Sequence, residues 1–70
     1  MKKDVKESID KYPVECLEAD YDCLWEMLKG YAATLFNCVG TADEVKLLTT
    51  ISHIAEEMAY MKKRINKEIK

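Results

Sequence analysis

Apolar residues recur along most of the chain at alternating steps of three and four, which is the spacing of one face of an α-helix. A first series follows Pro13 and consists of Val14, Leu17, Tyr21, Leu24, Leu28, Tyr31, Leu35 and Cys38. A second series follows Gly40 and consists of Leu47, Ile51, Ile54, Met58, Met61 and Ile65. The pattern predicts one helix over about 13–39 and another over about 42–69.

A shorter series precedes Pro13. Val5, Ile9 and Tyr12 are spaced as i, i+4 and i+7, which predicts a short amphipathic helix over about 2–11. Proline disfavours a helical conformation in the residue before it and is well tolerated in the first turn of a helix. We therefore expect the short helix to end before Pro13 and to fold back on the long ones.

The two long series fit each other as an antiparallel pair. Facing residues of an antiparallel hairpin have numbers with a nearly constant sum, and six successive pairs here add up to 82. They run from Leu35 with Leu47, next to the turn, to Leu17 with Ile65 at the opposite end. The expected fold is all-α, a single domain over 1–70 built as a long helical hairpin behind a short N-terminal helix.

The segment "NCVGTADEVK" contains the predicted turn, residues 40–41. Gly40 supplies the left-handed residue that ends many helices. Thr41 and Glu44 have the spacing of a capping box, in which the threonine hydroxyl accepts from the N–H of Glu44 and the glutamate reaches back. One glycine without a neighbouring lysine does not make a phosphate-binding loop, so the segment is interpreted as a turn.

Apolar residues cover nearly half the circumference of the first long helix, more than one partner helix can bury. Beyond the main series, Trp25, Ala32 and Phe36 lie on one side of this helix, and Met27 lies on the other side with Cys16 and Cys23. The short N-terminal helix is too small to cover both. We therefore predict self-association into a helical bundle, as a four-helix dimer or a larger ring, through Trp25, Met27, Ala32 and Phe36.

Charge is divided between the two long helices. The start of the first is acidic and the end of the second is basic, so the hairpin places opposite charges side by side. The basic run includes Lys63, Arg64 and Lys67, with Tyr60 nearby, but the net charge is −2 and the pI is about 5.3. This balance argues against nucleic acid as the partner.

Several classes of protein find no support in the sequence. The chain has neither an apolar run long enough for a membrane span nor a secretory signal, so a cytoplasmic protein without a membrane partner is expected. Three cysteines without a CxxC pair predict small, buried or half-buried apolar residues rather than disulfides or zinc ligands. His53 is predicted to face solvent, away from any metal site. No catalytic motif is found, so neither enzyme activity nor a cofactor is expected.

The second long helix, at "ADEVKLLTTISHIAEEMAYMKKRI", resembles that of the short phage proteins that sequester cyclic nucleotide signals of bacterial antiphage defence. Those proteins share a helical hairpin with a short N-terminal helix and assemble into compact rings. The resemblance implies an oligomer that evades host immunity by binding cyclic di- or trinucleotides. An aromatic ring for stacking and cations for phosphates are then needed, and the residues proposed for this ligand site are Lys11, Tyr12, Lys63, Arg64 and Lys67.

Two alternatives stay open. Tyr12 could simply pack against the first long helix while the lysines are solvated. The protein could also be a small acidic inhibitor or adaptor that docks on a host protein, for example one with a nucleic-acid-binding surface. In that case the partner surface would be the acidic stripe Glu15, Glu18, Asp22 and Glu26.

Overall fold

The computed structural model describes residues 2–69, the side chain of residue 69 excepted, and these residues form three helices. The helices are α1 (Lys3–Lys11), α2 (Val14–Cys38) and α3 (Asp43–Ile69). The two long helices pack against each other along their length, and α1 contacts α3. The prediction of an all-α fold with a short N-terminal helix followed by two long helices is confirmed.

Proline sets the boundary between α1 and α2. Tyr12 and Pro13 both have extended backbone, with φ −76° and ψ 142° for Tyr12 and φ −60° and ψ 149° for Pro13. The carbonyl of Pro13 accepts hydrogen bonds from the N–H groups of Cys16 and Leu17, both at 3.1 Å. Pro13 therefore precedes the first residue of α2, one position earlier than the first-turn position that the sequence predicts.

The two apolar series form the contact between α2 and α3, as predicted. All eight residues of the first series and all six of the second are buried or half-buried. Four residues form one buried core cluster, namely Ile9, Leu17, Met61 and Ile65. Leu17 and Ile65 lie in the same cluster, as the constant sum of residue numbers requires.

This cluster lies at the open end of the hairpin, which we define as the end away from the turn, where α2 begins and α3 ends. Ile9 is 2% exposed and brings α1 into the cluster, with Val5 packed against it. The short helix α1 therefore folds back on the hairpin.

The turn end, around residues 39–42, confirms one part of the prediction and corrects another. Gly40 has φ +83°, the left-handed conformation expected of it. The hydroxyl of Thr41 does not cap α3, because it donates to the carbonyl of Cys38 at 2.6 Å. Glu44 does reach back, but it accepts from the N–H of Gly40 at 3.0 Å instead of that of Thr41. At the start of α3, the N–H of Glu44 donates instead to the backbone carbonyl of Thr41, at 3.2 Å.

The acidic and basic ends of the long helices do meet at the open end. The ammonium group of Lys62 lies over the ring of Tyr21, 5.2 Å from its centroid, and Glu18 and Asp22 line the same crevice. Among the described residues, neither of these carboxylates forms an ion pair with α3. The charge pairing therefore acts at longer range across solvent, where it contributes only tenths of a kcal/mol per pair.

Candidate functional site

A clamp formed by Arg64 holds the end of α1 against α3. The last carbonyls of a helix have no partner within it. The guanidinium group of Arg64 donates to the carbonyl of Ile9, in the last turn of α1, and, at 2.6 Å, to that of Tyr12, the residue after the helix. A cation at the C-terminus of a helix is also favoured by the helix dipole. Arg64 is half-buried and its role is structural, since it fixes the junction between α1 and α2 to the second long helix.

Beside the clamp, Tyr60 joins α3 to α1 through its hydroxyl group. The hydroxyl donates to both carboxylate oxygens of Asp10, at 2.9 and 3.1 Å. This hydrogen bond raises the pKa of Tyr60 above its ordinary value, with smaller contributions from burial and from the charge of Asp10, while Arg64 acts in the opposite direction. The ammonium group of Lys6 lies 5.9 Å from the centroid of the Tyr60 ring. Tyr60 is therefore fixed in position as a neutral side chain.

A shallow cleft of about 600 Å³ opens on this side of α3 at the open end. It is lined by Asp10, Tyr60, Lys63, Arg64, Lys67 and Glu68, and we call it the basic cleft. Lys63 and Lys67 are exposed, one helical turn apart, and neither has an ion-pair or hydrogen-bond partner among the described residues. Three cations face two carboxylates, and one of the carboxylates is already hydrogen-bonded to Tyr60.

The structure brings together part of the predicted ligand site. Lys63, Arg64 and Lys67 line the basic cleft, whereas Lys11 and Tyr12 do not. The backbone of Tyr12 is bonded to Arg64, but its ring is 46% exposed and stands outside the cleft. Tyr12 is therefore not buried against α2.

The aromatic side chain of the cleft is Tyr60, which the predicted ligand site omits. Its spacing from Lys63, Arg64 and Lys67 places all four on one face of α3, so the helical repeat already contained the signal. No sequence pattern pairs Asp10 with Tyr60, because 50 residues separate them.

A second crevice lies on the same side of α3, nearer the middle of the helix. It encloses about 570 Å³ and is lined by Lys2, Val5, His53, Glu56 and Glu57. His53 is exposed, as predicted. Within residues 2–69 no three histidine, cysteine or acidic side chains lie close enough together to bind a metal ion.

The cysteines differ from the sequence-based expectation. All three are free thiols, and Cys38 is half-buried, but Cys16 and Cys23 are exposed. The prediction of buried or half-buried side chains is therefore wrong for these two. They project from the side of α2 on which Met27 lies, and α1 does not cover them because it packs against α3.

Exposed apolar residues lie along α2 where a partner was predicted to bind. Trp25 is 43% exposed, Met27 47% and Phe36 81%, while Ala32 is half-buried. Trp25 lines a shallow cleft of about 670 Å³ with Asp22, Cys23, Glu26 and Lys29.

The acidic stripe of α2 is exposed along its whole length. Within it, Glu26 pairs with Lys29 at 3.4 Å. Glu15, Glu18 and Asp22 have no ion-pair partner among the described residues. These three carboxylates are therefore available to an external cation.

Comparison with known proteins finds no family model that matches this chain, and no match among curated proteins or solved structures. The resemblance to phage sequestering proteins consequently stays a hypothesis carried by the second long helix. In the described part of the chain, no helix is long and apolar enough to cross a membrane.

Proposed function

We propose that this protein is a non-enzymatic, self-associating binding protein that sequesters a small anionic ligand, with the cyclic oligonucleotides of antiphage signalling as the ligand class. The observation that carries the proposal is the basic cleft, in which Lys63 and Lys67 stand without partners beside an oriented tyrosine. Phosphate groups need such cations, and a nucleobase needs an aromatic face.

Each residue of the cleft has a role in this proposal. Lys63 and Lys67 are one helical turn apart, so their Cβ atoms are about 6 Å from each other and the two ammonium groups can meet adjacent phosphates of one ligand. Arg64 keeps the cleft in shape by holding α1. Tyr60 supplies an aromatic ring within the cleft, and the exposed Tyr12 offers a second ring outside it.

The charge of the cleft favours a small ligand over a nucleic acid strand. Asp10 and Glu68 reduce the local positive charge to about one unit, and the whole chain carries −2. The net negative charge of the chain disfavours a long polyanion, whereas a compact dianion contacts only the two lysines.

Isothermal titration calorimetry against a panel of cyclic di- and trinucleotides tests the proposal. We expect binding to at least one member, a strong loss of affinity in Lys67→Glu, and little change in Lys46→Glu, a matched charge reversal at the turn end. Tyr12→Ala and Tyr60→Leu, each of which removes one aromatic ring, then show which ring contributes. Absence of heat with every member of the panel would overturn the proposal.

A second candidate function is favoured by the acidic stripe. Glu15, Glu18 and Asp22 lack ion-pair partners and adjoin Trp25, and an exposed tryptophan is the residue type most enriched at protein-binding hot spots. The protein would then act as an inhibitor or adaptor that docks on a basic surface of a host protein.

Affinity purification from host lysate, with the captured protein identified and its binding measured again in pure form, tests this alternative. Glu15→Lys with Glu26→Lys should abolish such binding and leave a nucleotide ligand bound. If the doubly substituted protein captures the same host protein equally well, the acidic stripe is not the docking surface.

A further inference from the structure

One flank of the hairpin, on the side away from α1, is apolar along most of its length. The contact of Lys62 with Tyr21 marks this flank at the open end, and Tyr21 meets Trp25 edge-on, with ring centroids 6.4 Å apart. Further along each helix, residues spaced by three or four positions lie on the same side as these contacts. The flank so defined, which we call the exposed flank, consists of Trp25, Ala32 and Phe36 of α2 and Leu48, Ala55 and Ala59 of α3.

At the level of Trp25, the two helices of the exposed flank differ in side-chain size. The α2 side carries the large ring of Trp25, whereas the α3 side carries Ala55 and Ala59, and both alanines are exposed. The pairing of residue numbers places Trp25 level with position 57, between these two alanines. A protruding aromatic side chain therefore lies beside a shallow depression on the same surface.

Charge also differs between the two helices at the open end of this flank. Glu18 and Asp22 lie on the α2 edge and Lys62 lies on the α3 edge of one crevice, at the same level of the hairpin. A surface with acid on one edge and base on the other is complementary to its own copy when a two-fold rotation exchanges the edges.

We propose that a second copy of this chain covers the exposed flank, related by a two-fold axis parallel to the helices. In this arrangement α2 lies against α3 of the partner subunit and the two open ends are at the same end of a four-helix bundle. Trp25 packs between Ala55 and Ala59 of the partner subunit. Asp22 faces Lys62 of the partner subunit.

The alternative two-fold axis, across the helices, is disfavoured by the same residues. It would place α2 on α2 of the partner subunit in the opposite direction, with Trp25 facing Phe36 of the partner subunit. Trp25 would then meet another large ring instead of the small side chains of Ala55 and Ala59, which gives a less closely packed contact. The acidic edge would face the turn end, where no matching lysine lies on the flank.

This inference rests on the self-association included in the proposed function and adds the surface and its symmetry. Light scattering at high concentration should give twice the monomer mass of 8.1 kDa. Trp25→Ala and Phe36→Ala should each weaken the dimer about tenfold or more, the size of effect typical of a central aromatic residue. Met27→Ala separates this arrangement from the wider interface that the sequence predicts. Met27 is similarly exposed but lies on the other side of α2, so in the arrangement proposed here its substitution should leave the dimer unchanged.

Charge exchange tests the direction of packing. Asp22→Lys and Lys62→Asp should each weaken the dimer, and the two substitutions combined in one chain should restore it. With the axis across the helices these residues do not meet between subunits, so no restoration would occur.

Disulfide cross-linking between separately purified variants completes the test. In a background without the native cysteines, verified as helical by circular dichroism, Asp22→Cys mixed with Lys62→Cys should give a mixed disulfide dimer. Self-linked Ala32→Cys would instead indicate the axis across the helices and overturn this inference alone. A monomer at all concentrations would overturn the self-association as well, while the nucleotide titration bears only on the ligand.

Discussion

The two ends of the hairpin are packed differently, although the same apolar repeat runs through both. At the open end, Leu17 is fully buried and Ile65 is 3% exposed, because α1 adds Ile9 as a third layer. At the turn end the facing pair Leu35 and Leu47 is only half-buried, and Phe36 is 81% exposed.

The difference shows that a two-helix hairpin cannot enclose its own core. Each helix covers one side of the other, and full burial appears only where a third element packs against the pair. The open end obtains this element from its own chain. The turn end has no such element among the described residues, and its apolar side chains stay partly exposed.

Shortening a leucine at each end is the most severe test of this comparison. Leu17→Ala should lower the free energy of unfolding by about 3 kcal/mol, since it removes a fully buried side chain and leaves a cavity. Leu35→Ala, the matched change at the turn end, should cost about half as much in the monomer because the site is already open to solvent. Urea denaturation followed by circular dichroism measures both. Equal losses would mean that the two ends are packed alike.

Removing the arginine clamp tests what holds α1 in place. Arg64→Ala should destabilise the fold by about 2 kcal/mol, because two carbonyls lose a charged donor. Hydrogen exchange should show faster exchange in α1 than in the wild type, with the turn end unchanged. Lys63→Ala is the control, since Lys63 has no partner among the described residues. Unaltered protection of α1 in Arg64→Ala would show that apolar contacts alone hold it.

The two glycines, Gly40 in the turn and Gly30 inside α2, provide a matched pair of substitutions. Gly40→Ala should cost about 1 kcal/mol, because its φ of +83° strains any residue with a Cβ atom. Gly30→Ala should stabilise the protein by about 0.5 to 1 kcal/mol, since Gly30 lies inside α2 and no atom of another residue crowds a Cβ there. Thermal unfolding of both variants measures the difference. A neutral Gly40→Ala would indicate that the turn relaxes into another conformation.

The smallest effect is expected from the titration of Tyr60 at alkaline pH. The hydrogen bond to Asp10 raises its pKa in the folded state above the ordinary value of about 10. The folded state then binds the proton more tightly, so the stabilisation is present below about pH 10 and is lost as pH rises through the folded pKa. Denaturation across this range should show that the free energy of unfolding falls with rising pH in the wild type and falls less steeply in Tyr60→Phe. Equal slopes would mean that the hydrogen bond contributes nothing measurable.

Much of the fold was predictable because helices are local. The spacing of apolar residues gave the three helices, the burial of both apolar series and the register of Leu17 with Ile65. Gly40 and Pro13 marked the boundaries through their own backbone restrictions. The capping prediction at Thr41 failed, because a short hydroxyl side chain can satisfy either the helix that ends or the helix that begins, and the path of the turn decides between them.

The candidate site was predictable only in part. Lys63, Arg64 and Lys67 belong to one helix, so the helical repeat places them together. Tyr60 acts as a hydrogen-bond donor through its contact with Asp10, and Arg64 acts as a clamp through its contacts with the end of α1. Arg64 and Ile9 are more than fifty residues apart in the sequence. Such pairs leave no periodic signal in a single sequence.

The sequence by itself determined the helices, their register and the excess of apolar surface on α2, because each follows from backbone geometry and from the repeat of one residue pattern. The tertiary structure alone decided which flank of the hairpin α1 covers. Ile9, Asp10 and Arg64 fix α1 beside α3, and this choice leaves Cys16 and Cys23 exposed and the flank of Trp25 and Phe36 open. That decision arises from packing and hydrogen bonds between distant segments, and it determines which apolar surface stays exposed.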